Sequence, residues 1–230
     1  MSREKIKIAI SCGDINGIGL EVALKSFADN RIFENCTPII YANEQTVKFH
    51  MKRLDLELPI HKCASAEKAH TNKVNILEVF DNEVRTEFGK ITAEAGKVAF
   101  ISLKAAVEDL ASNKVDALVT APINKANIKS EEFGFPGHTE FLANYANEDN
   151  PLMVLAHNEL RVAVVTGHLS LKDVVNNISK EAIVTKLKVF SKSLTQDFGI
   201  NHPKIAVLSL NPHSGDDGCL LYTSDAADDS

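Results

Sequence analysis

VDALVTAPINKANIKSEEFGFPGHTEFL, residues 115–142, carries the main signal of the chain's architecture. Residues 115–119 read as a buried strand. Where the apolar pattern ends, Thr120, Pro122, Asn124 and Lys125 follow. A Gly/Pro-rich turn then leads to Gly137-His138-Thr139-Glu140, which opens a helix running on from Phe141. Open α/β folds present small anionic ligands in this way, beyond the carboxyl ends of strands and against the free N–H groups of a helix start. Asn and Thr in such places also simply make turns and cap helices. The concentration of these groups in one stretch favours a site.

Outward from this stretch the pattern is that of alternating α/β units. Toward the N-terminus, 91–110 carries a broad apolar face with small alanines suited to close packing on a sheet. Residues 6–10, 38–41 and 74–80 read as strands, and the segments following Glu21 and 44–54 as helices. Residues 56–64 are ambiguous, and 71–90 is the expected passage between subregions. The turn after the first strand, Gly13-Asp14-Ile15-Asn16-Gly17-Ile18-Gly19, is neither a dinucleotide fingerprint nor a P-loop, since GxGxxG and the Walker lysine are both missing. Toward the C-terminus, 152–156 and 160–165 read as a hairpin around His157-Asn158-Glu159. Ser179 opens an amphipathic helix, and 205–210 reads as a further strand.

Composition narrows the function classes. A chain of 230 residues with 44% hydrophobic content can bury a real core, and a net charge of −6 with scattered Lys and Arg offers no face for nucleic acid. Cys12, Cys36, Cys63 and Cys219 form no CxxC pair, which argues against a zinc knuckle or a disulfide framework. No signal peptide or membrane span is legible, so a cytoplasmic protein is expected.

Three histidines share a context. His138 follows the Gly/Pro loop, while His168 and His213 each sit beyond an apolar run next to glycine or serine. In a parallel sheet such strand ends lie on one edge, and imidazoles there suit a borderline divalent metal. His50, His61, His70, His157 and His202 read as surface residues. Ser214 is a poor nucleophile candidate, as no G-x-S-x-G elbow surrounds it. The residues alone leave two classes open: a metal-assisted enzyme for a small phosphorylated or acidic metabolite, and an α/β binding domain without chemistry.

GDINGIGLE, VTAPINK, FPGHTEFLA, VVTGHLSLKDV and LNPHSGD, in this order and spacing, closely resemble the bacterial 4-hydroxythreonine-4-phosphate dehydrogenases of vitamin B6 synthesis. The resemblance runs from Ile6 to about Gly218. It implies an isocitrate/isopropylmalate-dehydrogenase-like fold, two α/β domains around a cleft, in a homodimer. It further implies NAD and a divalent metal (zinc, magnesium or cobalt) as cofactors and a small phosphorylated substrate, with no nucleic-acid or membrane partner. His138 and Thr139 match substrate-contacting residues, and His168 and His213 match two of three metal-ligating histidines. The implied reaction is oxidation and decarboxylation of 4-hydroxythreonine 4-phosphate to 3-amino-2-oxopropyl phosphate, with relatives acting on threonate or erythronate 4-phosphate as the alternative. Ile15, Asn16 and Leu20 depart from the family's usual Pro-Ala-Gly-Ile-Gly-Pro-Glu, and Gly167-His168-Leu169-Ser170 from its Thr-His-x-Pro. Residues 219–230, CLLYTSDAADDS, have no family counterpart. Residues 1–218 are therefore expected to be the N-terminal two-thirds of a dehydrogenase, incomplete in its second part, and 219–230 a disordered artefactual tail. Such a fragment is expected to be inactive by itself.

Overall fold

In the computed structural model, which describes residues 5–81 and 83–210, the chain divides into two compact units, Met1–Asp149 and Asn150–Ser230. The first is an α/β unit around a five-stranded parallel sheet. Its strands are β1 (Ile6–Ser11), β2 (Cys36–Tyr41), β3 (Ile60–Cys63), β4 (Val74–Leu77) and β5 (Ala117–Thr120), in the spatial order β3-β4-β2-β1-β5. Connections run through α1 (Gly19–Ser26), the short α2 (Ile32–Asn35), α3 (Glu44–Arg53) and α4 (Ala93–Ala111), and α5 (His138–Tyr145) follows β5. The central strand β2 is buried along its whole length, as expected of a strand covered on both faces. Its Pro38 lies just before the β2–β4 ladder begins at Ile39, so the missing N–H falls outside that ladder.

Helix starts follow local chemistry. Asn43 accepts a hydrogen bond from the Thr46 N–H at the start of α3, and Thr92 does the same for Ala95 at α4. The alanines of α4 let it lie close on the sheet, and its buried Ser102 bridges two strand ends. That hydroxyl accepts from the Cys12 N–H at 2.9 Å and donates to the Tyr41 carbonyl at 2.5 Å.

Three expectations are corrected in this unit. The ambiguous stretch 56–64 contains a strand, β3, at the sheet edge. The segment 71–90 is not a passage between units, because it contributes β4 and is tied down by Asn16. That side chain donates to the Lys90 carbonyl and the Thr92 hydroxyl, both at 3.0 Å, and accepts from the Glu87 N–H at 2.7 Å. His50 is not a surface residue but is 1% exposed, its Nε2 donating to the Ile15 carbonyl at 2.9 Å with the Phe88 ring edge-on beside it.

The second unit holds the expected hairpin, β6 (Val154–His157) paired antiparallel with β7 (Leu160–Ala163), then the short α6 (Leu171–Val174) and the long α7 (Lys180–Gln196), capped by Ser179. An apolar cavity of about 540 Å³ is lined by residues including Leu160, Val162, Leu187, Phe190 and Ile205. The strand expected at 205–210 does not form, and 203–209 carry no regular structure. Val207 and Leu208 are exposed; an apolar run becomes a strand only where a neighbour completes its ladder. Among the described residues no helix is long and apolar enough to cross a membrane.

Candidate functional site

The strand order places a topological switch between β1 and β5. From β1 the chain crosses to β2 on one side; from β4 it returns over α4 to β5 on the other. Ligands of open α/β sheets bind in the crevice beyond the carboxyl ends of such strands. Here the two loops leaving β1 and β5 meet. The Asp14 N–H donates to the Pro122 carbonyl at 2.9 Å, and Gly13 sits at φ +62°, where a Cβ would stand 2.3 Å from that same oxygen. Only glycine fits this approach. The direct crevice is thus occupied by backbone, and the open chemistry lies along the loop toward α5.

That loop is anchored by phenylalanines. Phe133 and Phe141 pack with Phe100 of α4 and with each other, ring centroids 5.5 to 5.9 Å apart, and Phe135 packs on Phe133 and Phe141. Phe133 is fully buried and Ile128 nearly so. Each such side chain contributes about 1.5–3 kcal/mol of burial. The result is a loop as firmly held as a core element, so the start of α5 has a fixed position.

At that start Gly137 is the N-cap in an extended conformation, and no side chain caps the helix. Thr139 is the second helical residue rather than a cap, so the capping explanation for it falls away. Its neighbour His138 has a buried Nε2 without a hydrogen-bond partner. Burial, and then the Lys125 ammonium, hold the His138 imidazole below the usual histidine range. Two further residues of the first unit carry unpartnered buried atoms. They are Ser11, whose Oγ sits at the carboxyl end of β1, and Asn127, both of whose amide atoms are unpaired. A buried polar atom without a partner costs about 1–3 kcal/mol. Of the five such atoms among the described residues, four belong to Ser11, Asn127 and His138. Ser11 ends β1, and Asn127 and His138 belong to the loop and helix that follow β5; an unpartnered buried atom marks where a ligand or ordered water completes the structure.

Sequence reasoning missed Ser11 and Asn127, because nothing local distinguishes them from any strand-end Ser or loop Asn. For Asn124 both a turn and a place in the site were open. In the fold Asn124 makes a turn: its Oδ1 accepts from the Ala126 N–H, and its carbonyl accepts from Asn127 and Ile128. Cys12, adjacent to Ser11, is no nucleophile. Burial pushes its thiol up to about 12, and Cys12, Cys36 and Cys63 are all free and buried.

The metal expectation meets the fold differently. His168 is exposed and follows β7, which belongs to a two-stranded antiparallel hairpin and not to the parallel sheet. The shared-edge argument for His168 therefore fails, since edges of separate sheets need not coincide. His213 lies outside the described residues, as do Ser214 and the tail 219–230. Among the described residues no group of three His, Cys, Asp or Glu is placed to hold a metal ion.

Comparison with known proteins adds independent observations. A family profile described as "Pyridoxal phosphate biosynthetic protein PdxA" matches residues 34–222. The 4-hydroxythreonine-4-phosphate dehydrogenase of Bacteroides thetaiotaomicron is 46% identical over 96% of this chain and 61% of its own length. That of a Sulfurihydrogenibium species is 36% identical over 93% of this chain and 65% of its own. The chain thus spans less than two thirds of either relative. A Fusobacterium nucleatum protein provisionally named D-threonate 4-phosphate dehydrogenase is 32% identical. Among solved structures, a 4-hydroxythreonine-4-phosphate dehydrogenase from Burkholderia phymatum superposes with a TM-score of 0.80 at 30% identity, covering 96% of this chain and 67% of that one.

Proposed function

The chain belongs to the PdxA family of pyridoxal phosphate biosynthetic proteins, and from that membership we propose that it serves as an NAD-dependent 4-hydroxythreonine-4-phosphate dehydrogenase. The observation that carries this reading is the uncapped N-terminal turn of α5, with His138 Nε2 buried and unpartnered beside it. Free helix N–H groups favour a phosphate, and His138 and Thr139 would bind it there. Oxidation of the hydroxyl-bearing carbon gives a β-keto acid, and loss of carbon dioxide then yields 3-amino-2-oxopropyl phosphate. The greater identity to 4-hydroxythreonine-4-phosphate dehydrogenases favours this substrate over D-threonate 4-phosphate.

The full reaction also calls for a hydride acceptor and a divalent metal. Imidazole is a suitable donor for zinc or cobalt, and His168 with His213 would supply two ligands. The described residues do not complete either site, so the roles assigned to this chain's residues are confined to substrate capture at α5. When bound, the metal supplies charge where an alkoxide develops and NAD accepts the hydride. A cytoplasmic homodimer belongs to the same proposal.

The test is steady-state kinetics on the chain extended to the length of its relatives, following NADH formation. With 4-hydroxythreonine 4-phosphate, kcat/KM should exceed that for D-threonate 4-phosphate by about tenfold or more. The reverse ratio selects the second substrate. No NADH from either, together with no calorimetric binding of NAD or zinc, selects the non-catalytic binding domain. Thr139→Val should raise KM about tenfold, the loss of one hydrogen bond to a charged group, while leaving the unfolding midpoint unchanged.

A further inference from the structure

We propose that Lys125 is a positioning residue for ligand capture, acting through His138: it is the cation of the α5 turn and leaves the imidazole to meet the ligand as a neutral hydrogen-bonding group. The proposal rests on the reading of that turn as the docking place of the substrate's anionic group. Lys125 is carried on a tight local turn, made by the Asn124 carbonyl accepting from the N–H groups of Asn127 and Ile128. Its side chain reaches over Gly137. A Cβ built at that glycine would stand 3.8 Å from Lys125 Cε and 4.0 Å from Nζ. His138 is the residue after Gly137, so the ammonium lies beside the first turn of α5.

No salt bridge ties up the lysine. Among the described residues no carboxylate forms an ion pair with Lys125. Glu140 is the acid of the same turn, its Oε2 3.5 Å from the same Gly137 point, without closing a salt bridge. A second positive charge on His138 would be opposed by Lys125 and, more strongly, by its own burial. A neutral imidazole keeps one N–H donor and one acceptor, whereas the imidazolium only donates. Lys125, exposed to solvent, then provides attraction toward anions that salt can screen, and His138 provides the directed hydrogen bond. This division of labour also explains why His138 tolerates an unpartnered nitrogen: its partner comes with the ligand.

The experiment uses the 230-residue chain and inorganic phosphate as probe. Histidine ring signals are titrated by NMR in the wild type, Lys125→Met and Lys125→Arg, with His138→Gln to assign the resonance. Lys125 is exposed, so neither lysine variant threatens folding. The His138 titration should rise in Lys125→Met and stay low in Lys125→Arg. Phosphate affinity should fall about two- to fivefold in Lys125→Met, the range of an exposed charge interaction, and be held by Lys125→Arg. An unmoved His138 titration in Lys125→Met overturns the positioning role. So does a Lys125→Arg variant that behaves like Lys125→Met, because charge would then not be the cause. If the titrations move as expected but the wild type ignores phosphate, the functional reading of the turn fails while the coupling of Lys125 to His138 stands.

Discussion

Gly96→Ala reverses the usual sign of a helix substitution. In the interior of a helix, Gly→Ala normally stabilises by about 1 kcal/mol. Gly96 lies within α4, where the β5–α5 loop crosses it, and a Cβ there would stand 1.9 Å from the Asn127 carbonyl oxygen and 2.9 Å from the Ile128 nitrogen. To reach an ordinary contact of 3.4 Å the loop must retreat by about 1.5 Å. Retreat is resisted, because Ile128 is 2% exposed and packs among Phe133, Phe141 and Phe100. Overpacking of a held element costs about 1–3 kcal/mol or more, which outweighs the propensity gain. The expected net effect is a loss of roughly 1–2 kcal/mol, read as a lowered urea midpoint with helical circular dichroism retained. Lys97→Ala, one residue along on the exposed face, is the control and should change stability by less than about 0.5 kcal/mol. A Gly96→Ala protein as stable as the wild type, or more stable, would refute the claim that this glycine is kept for the loop.

Two further outcomes follow from buried polar groups in the first unit. Asn16→Ala removes three hydrogen bonds that hold the 87–92 segment to the turn after β1, and should cost about 2–3 kcal/mol in denaturant unfolding while speeding amide exchange at Glu87 and Gly89. His50, held below the ordinary histidine value of 6.5 chiefly by burial, takes up protons more readily unfolded than folded. Its contribution is therefore fully present above pH 6.5 and lost as pH falls through the lower folded-state value. His138 acts in the same sense, so the loss of stability on acidification should be reduced in His50→Gln and reduced further when His138→Gln is added. An unchanged pH dependence would show that folding does not lower the proton affinity of either ring.

Much of this protein is legible from its residues alone, because much of it is local. The short apolar runs in β1, β2 and β4, the helix opened by Ser179, and the placement of His138 and Thr139 at a helix start all depend on neighbours within a few positions. The family motifs also stand in linear order. What tertiary structure decided is what depends on distant partners. Residues 205–210 have the composition of a strand yet form none, since a ladder needs a second chain segment and periodicity cannot supply one. His50 looks like a surface histidine on a polar helix, but the turn after β1 and Phe88 enclose it. The clamp by Asn16, the phenylalanine cluster beneath the α5 loop and the contact that only a glycine at 96 allows each join positions tens of residues apart. The same holds for the burial of the Ser11 hydroxyl, the Asn127 amide and His138 Nε2. A buried atom's need for a partner is a property of its surroundings, and those surroundings exist only once β5 has been laid beside β1.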